Sequence, residues 1–210
     1  MKNWTRYLSI AALVLAALAP AADTGWVLGG TAVDGGGGDA GTWTSPSNVN
    51  TDDTAYSEVV PESRNVGPHL EVTNFSFGIP SGATIDGVEF RVRAYAESST
   101  EFPDWNIQIL KAGTRTGTDK SVAGDWPGTA TTRDYGGIAD LWAVTLTETD
   151  VSSSTFGISF QIEDDASGDE YFRVEAIWMK ITYTASGGGG ATGAEKANGF
   201  FALINQRRRS

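Results

Sequence analysis

The sequence predicts an all-β fold, an antiparallel β-sandwich of jelly-roll type with flexible Gly-rich N- and C-terminal arms. Three observations predict it. Several segments alternate apolar and polar residues with a period of two, Gly, Pro, Asp and Ser separate them at short intervals, and no window beyond residue 22 sustains a helical period. Composition agrees: hydrophobic residues make up 40% of the 210-residue chain, and seven Trp, nine Phe and six Tyr supply the broad side chains that sheet faces pack.

Residues 1–22 come first. Lys2 and Arg6 precede an apolar run from Tyr7 to Leu18, and Ala19-Pro20-Ala21 supplies small residues at a cleavage position after Ala21 or Ala22. That pattern predicts a secretory signal peptide, with a retained N-terminal helix as the alternative. The run is shorter than the ~20 residues a bilayer span needs. Residues 23–41, with Gly35 to Gly38 at their centre, read as a Gly-rich arm with nothing to bury.

The sandwich domain is expected over residues 42–186. Its clearest strand covers 85–97, where Val88, Phe90, Val92, Ala94 and Ala96 alternate with charged or polar neighbours. Leu70 and Val72, extended by Phe75 and Phe77, mark a strand before it. Trp105, Ile107 and Ile109 mark one after it, with Trp105 on the core side by parity. Phe156, Ile158, Phe160 and Ile162 repeat the pattern. In the last strand, 171–184, Phe172, Val174 and Ala176 hold even positions while Ile177, Met179, Ile181 and Tyr183 hold odd ones. The parity switch predicts a β-bulge near Ala176 and Ile177. Residues 187–198 then read as a flexible tether, and 199–210 as an apolar and basic tail.

The segment Asn74-Phe75-Ser76-Phe77-Gly78-Ile79-Pro80-Ser81-Gly82-Ala83-Thr84-Ile85-Asp86-Gly87-Val88 resembles a stretch of a β-sandwich module that recurs in bacteriophage structural proteins and bacterial surface proteins. Tyr135-Gly136-Gly137 with Asp140-Leu141-Trp142, the segment Asp150 to Gly157 and the closing strand ending Ile181-Thr182-Tyr183 are similar to it in the same order. The resemblance spans residues 42–185. It implies a jelly-roll-like sandwich on a cell or virion surface, and no catalytic or binding residues come with it.

Charge narrows the partners. Between Asp23 and Thr184 there are 25 acidic residues against nine Lys and Arg, a balance of −16, which repels phosphate backbones and argues against nucleic acid. The absence of cysteine excludes disulfides, thiolate metal sites and a cysteine nucleophile. His69 is the only histidine and no G-x-S-x-G elbow is present, so the expectation is a protein that is not an enzyme; a glycoside hydrolase ranks third, because it needs only two carboxylates across a cleft.

Three sets of residues carry the site expectations. Glu163, Asp164, Asp165, Asp169 and Glu170 place five carboxylates in eight residues, the oxygen ligands calcium prefers, although the spacing is not that of an EF-hand and a solvated acidic loop is the simpler account. No other cofactor is expected. Trp126 and Trp142 are the ligand-binding candidates, for stacking on a sugar ring, with Trp105 and Trp178 candidates by type alone; core packing is the plainer role for all four. Phe200, Phe201, Leu203 and Ile204, followed by Arg207, Arg208 and Arg209, form a segment expected to dock on another copy or on a surface or virion partner. The leading functional expectation is a secreted, cell-surface or virion-associated structural or adhesive protein. A carbohydrate-binding module, with or without calcium, is the alternative.

Overall fold

The computed structural model describes residues 20–98, 101–165, 167–168 and 170–186. In chain order the elements are β1 (Ala21–Asp23), β2 (Val27–Leu28), β3 (Thr31–Asp34), a 3-10 turn (Pro46–Asn50), β4 (Ser57–Val59), β5 (Leu70–Thr73), β6 (Thr84–Ala96), β7 (Asp104–Lys111), β8 (Thr114–Thr116), β9 (Thr131–Gly137), α1 (Glu148–Val151), β10 (Gly157–Ile162) and β11 (Phe172–Thr184).

They form two antiparallel sheets. The first runs β1-β11-β6-β9, and β2 and β4 also pair with β11, so three short strands lie end to end along one edge of that long one. The second runs β3-β5-β10-β7-β8. Alternation decides what lies between them. From β6 it is Val88, Phe90, Val92, Ala94 and Ala96 that are buried, and β10 brings Ile158, Phe160 and Ile162 from the facing sheet. Trp126, Phe160 and Phe172 pack edge-on or offset with centroids 5.7–6.2 Å apart.

The expected fold class is thus the observed one, and so is the bulge in the last strand. Val174 pairs with Ala94 and Ala176 with Arg93, leaving Glu175 as the extra residue that changes the parity. Three local expectations differ. Phe75 and Phe77 do not extend β5, because Asn74 takes a left-handed conformation (φ 61°) and ends the strand, yet both rings stay buried. The single helical turn α1, closed by a capping box between Thr147 and Asp150, is too short to show a period in sequence.

The third difference is the 23–41 stretch. It supplies β2 to one sheet and β3 to the other, and Gly35 to Gly38 are laid over His69 instead of hanging free. The Gly35 amide donates to the His69 carbonyl at 2.8 Å, and the His69 amide donates to Gly36 at 3.0 Å. At Gly38 a Cβ would overlap the Gly67 backbone, so the run of glycines serves close approach rather than freedom. Both expected cleavage positions, after Ala21 and after Ala22, fall within β1.

On the outer face of the first sheet, cations lie over rings. Arg173 sits 3.7 Å from the Tyr171 ring centre and 4.3 Å from Tyr56, while its Nε donates to Glu58 at 2.6 Å. Arg93 covers Trp178 and bonds Asp52 and Glu175, and Arg91 covers Trp26 and bonds Asp134. Each of these three cations has a carboxylate partner as well as a ring.

Candidate functional site

The two tryptophans expected to meet a ligand do not reach solvent. Trp126 and Trp142 are both 0% exposed. Their indole N–H groups donate to Asp104 Oδ1 at 2.8 Å and to the Val88 carbonyl at 3.0 Å, which makes them core residues with satisfied polar ends. Trp105, assigned to the core by parity, is the one that faces water, at 48% exposure. The cause is a second bulge: Asn106 pairs with Gln161 and Asp104 with Ile162, so Trp105 is an extra residue with no partner in β10. Trp178 lies half-buried beneath Arg93.

That bulge also turns the Asp104 side chain inward, where it is 0% exposed. It accepts from Trp126 Nε1, from Tyr135 Oη at 2.9 Å and from the Val122 amide at 3.1 Å, and Arg133 stands 3.4 Å away. Burial pushes its pKa up, against the pull of those donors and of Arg133. The same carboxylate drives the Tyr135 hydroxyl well above its ordinary range, after the larger effect of burial. Asp104 thus pegs the 117–127 segment to the sandwich. Only the sequence-distant partners reveal this role, and they are 18 to 31 residues away.

The acidic loop is tied down by its backbone. Glu163 N donates to the Pro103 carbonyl, Asp164 N to Asn65 and Asp165 N to Glu101. Asp164 is buried, and Asp169 lies outside the described residues. Among the described residues no three carboxylate or histidine side chains converge as metal ligands would. The carboxylates here instead disfavour one another's charge. Glu163 is raised by burial and then by Asp165 and Asp164, Asp125 by burial and Asp165, and Glu170 by a hydrogen bond with Glu97.

The lone histidine is committed to structure. Its Nδ1 lies 2.7 Å from Ser159 Oγ, Ser159 is 0% exposed, and the 35–38 loop covers the pair. Burial, and secondarily Arg115, lowers the His69 pKa to about 4, so the ring is neutral near pH 7. Phe200, Phe201, Leu203, Ile204, Arg207, Arg208 and Arg209 lie outside the described residues, as do residues 1–19.

One cleft opens where β5 gives way to the 74–79 segment and the turn after α1 approaches it. Its volume is about 430 Å³, within the ~300–1,000 Å³ usual for small-molecule sites. Asn74, Ser76, Ser152 and Ser154 line it together with Phe75 and Phe77, and among the described residues no ionisable one does. The two phenyl rings stack at 5.5 Å and 6° and turn into the core, while Asn74, Ser76 and Ser154 are exposed. Nothing in the sequence marks this segment as a site, because hydroxyls and an amide in a turn carry no distinguishing spacing.

No family model and no curated protein matches the chain. Among solved structures, a mutant of CBM29-2, a family 29 carbohydrate binding module complexed with mannohexaose, is similar over 77% of this chain and 92% of that chain, at 11% identity and a TM-score of 0.36. So loose a superposition locates no site in this chain.

Proposed function

We propose that this chain is a non-enzymatic surface or virion-associated module, a β-sandwich body that serves attachment or assembly together with its C-terminal segment. The observation that supports this reading is how the interior spends its reactive groups. Asp104 holds the 117–127 segment and strand β9, and His69 and Ser159 satisfy each other beneath the 35–38 loop, so neither site presents a reacting atom to a substrate. The polar side chains left facing solvent in a concavity are hydroxyls and an amide, groups suited to binding.

The proposal places the protein outside the cell, on the basic-apolar-small pattern of residues 1–22, or alternatively on a virion, on the four segments that resemble phage and bacterial surface modules. The body's −16 balance turns away nucleic acid and anionic surfaces, whereas Arg207, Arg208 and Arg209 suit an acidic partner, a second copy included. A carbohydrate is the ligand class the neutral cleft favours.

Deletion of residues 195–210 tests the role of the C-terminal segment. Assembly or surface retention should fall away while the thermal unfolding transition of the sandwich stays where it was. Retention of both in the shortened protein would remove the C-terminal segment from the proposal.

A further inference from the structure

The cleft between the 74–79 segment and the turn after α1 combines three properties that an ordinary gap between loops need not share. It is braced, it is free of charge, and its polar side chains have unused bonding capacity.

The bracing comes from both sides. Asn74 and Gly78 hold left-handed conformations (φ 61° and 64°), which fold the 74–79 segment back so that Phe75 and Phe77 anchor in the core and Asn74, Ser76 and Gly78 face outward. The Gly30 amide donates to the Thr73 carbonyl at 3.0 Å just before it. Across the cleft, Ser152 N donates to Glu148, Ser153 N to Asp150 and Phe156 N to Ser153, so three backbone bonds hold the turn after α1. Phe156 in turn packs edge-on to Phe77 at 6.5 Å, joining the two walls through the core. A ligand entering here meets a formed surface and orders few side chains.

The chemistry is neutral. In a body carrying −16 between Asp23 and Thr184, a concavity lined by no ionisable residue among those described is a departure from the surrounding surface. The Asn74, Ser76 and Ser154 side chains make no hydrogen bond among the described residues, and Ser152 Oγ donates to Glu148 at 3.1 Å, which leaves its lone pairs available. Phe75 and Phe77 are only 4% and 8% exposed, so the floor offers little free apolar surface to a purely hydrophobic ligand. What remains is a set of alternating donors and acceptors over a thin apolar floor, which matches a compact polyol.

We propose that this cleft binds an uncharged sugar unit, held by hydroxyl hydrogen bonds to Asn74, Ser76, Ser152 and Ser154. The assignment rests on the attachment-module reading and gives that module its ligand class. Acidic sugars are disfavoured because no cation among the described residues lines the cleft, and basic peptides because the one carboxylate touching its lining, Glu148, already accepts from Ser152.

Amide NMR of the full chain tests it, with mannose-, glucose- and galactose-based oligosaccharides as probes and glucuronate-based ones for comparison. The expected result is perturbation confined to residues 74–79 and 152–156 by at least one neutral sugar. Ser154→Phe, at an exposed position, should weaken that binding at least tenfold with the remaining spectrum unchanged, and Trp105→Ala should leave it intact. A silent panel, equal binding of the glucuronate series, or perturbation centred on Trp105 would overturn the assignment. Attachment of the whole protein, measured in parallel, separates the two levels. Retained attachment with a silent panel overturns the cleft alone, and absent attachment overturns the module reading beneath it.

Discussion

Strand β10 joins two ends of the sandwich that handle polar groups in opposite ways. At the Ile162 end lie the Asp104 peg, the exposed Trp105 and a set of carboxylates, Glu101, Asp125, Glu163 and Asp165, with Asp165 bonded to Glu101 and both Glu163 and Asp125 paired with Pro103 through their backbones. At the Gly157 end lie Thr73, the 74–79 segment and a cleft with no ionisable lining residue among those described. The first end adds a buried carboxylate, Asp104, to the backbone bonds that fix its loops, and its acidic groups bear the cost in disfavoured ionisation. The second fixes its loops with backbone bonds and left-handed residues, and so keeps its side chains free. In this fold the end rich in titratable groups buries a carboxylate, and the bland end leaves an amide and hydroxyls facing solvent in a cleft.

The contrast can be broken most severely at Asp104. Replacing it by Ala leaves the buried Trp126 and Tyr135 donors and the part-buried Val122 amide without an acceptor, and Arg133 without its carboxylate. A loss of about 4 kcal/mol is expected, read by chemical denaturation, with the 117–127 segment the first to lose hydrogen-exchange protection. A loss below about 1 kcal/mol would show that the peg does not hold that end.

Acid titration divides the molecule next. His69 is held neutral, with its pKa lowered to about 4 against 6.5 in the unfolded chain. Its contribution is therefore complete above pH 6.5 and is lost as pH falls toward 4, by up to ~3 kcal/mol. Arg115 faces the ring and is itself paired with Glu71 at 2.7 Å, so the positive neighbour persists across that window. His69→Gln should flatten the acid limb of a stability–pH curve between those values. An unchanged limb would place the proton uptake elsewhere.

The smallest effect belongs to the acidic end. Glu163 is raised, chiefly by burial and then by Asp165 and Asp164, so its ionised form opposes folding above its folded pKa and the opposition fades as pH drops. Glu163→Gln should stabilise the protein at pH 7 by about 0.5 kcal/mol, a discounted figure for a partly solvated group. The gain should vanish in moderately acidic buffer, where the wild-type carboxyl is protonated. Thermal unfolding at two pH values measures it, and destabilisation at pH 7 would contradict the repulsion described.

Much of the sandwich was legible because alternation is a backbone property. The strand 85–97 and the bulge near Ala176 follow from which residues are apolar, and the structure reproduces them at β6 and Glu175. The tryptophans were not legible for the complementary reason. A bulge at Trp105 leaves no mark in a segment whose apolar residues already alternate in phase, and Trp126 sits among turn residues while the groups that hold it inside, Asp104, Phe160 and Phe172, lie 22 or more positions away. The cleft escaped notice because backbone conformation at Asn74 and Gly78, not residue type, makes it concave.

The pairing of Ala21 with Thr184 has a mechanical consequence. The first and last described strands are antiparallel neighbours whose outer ends coincide, so a pull applied at residues 21 and 184 acts on one corner. Such a load opens the ladder one pair at a time, beginning with the three residues of β1, instead of shearing many bonds together. Stretched between those points, the sandwich would unzip at low force, and its long β6–β11 seam would bear tension only after the short edge strands had peeled away.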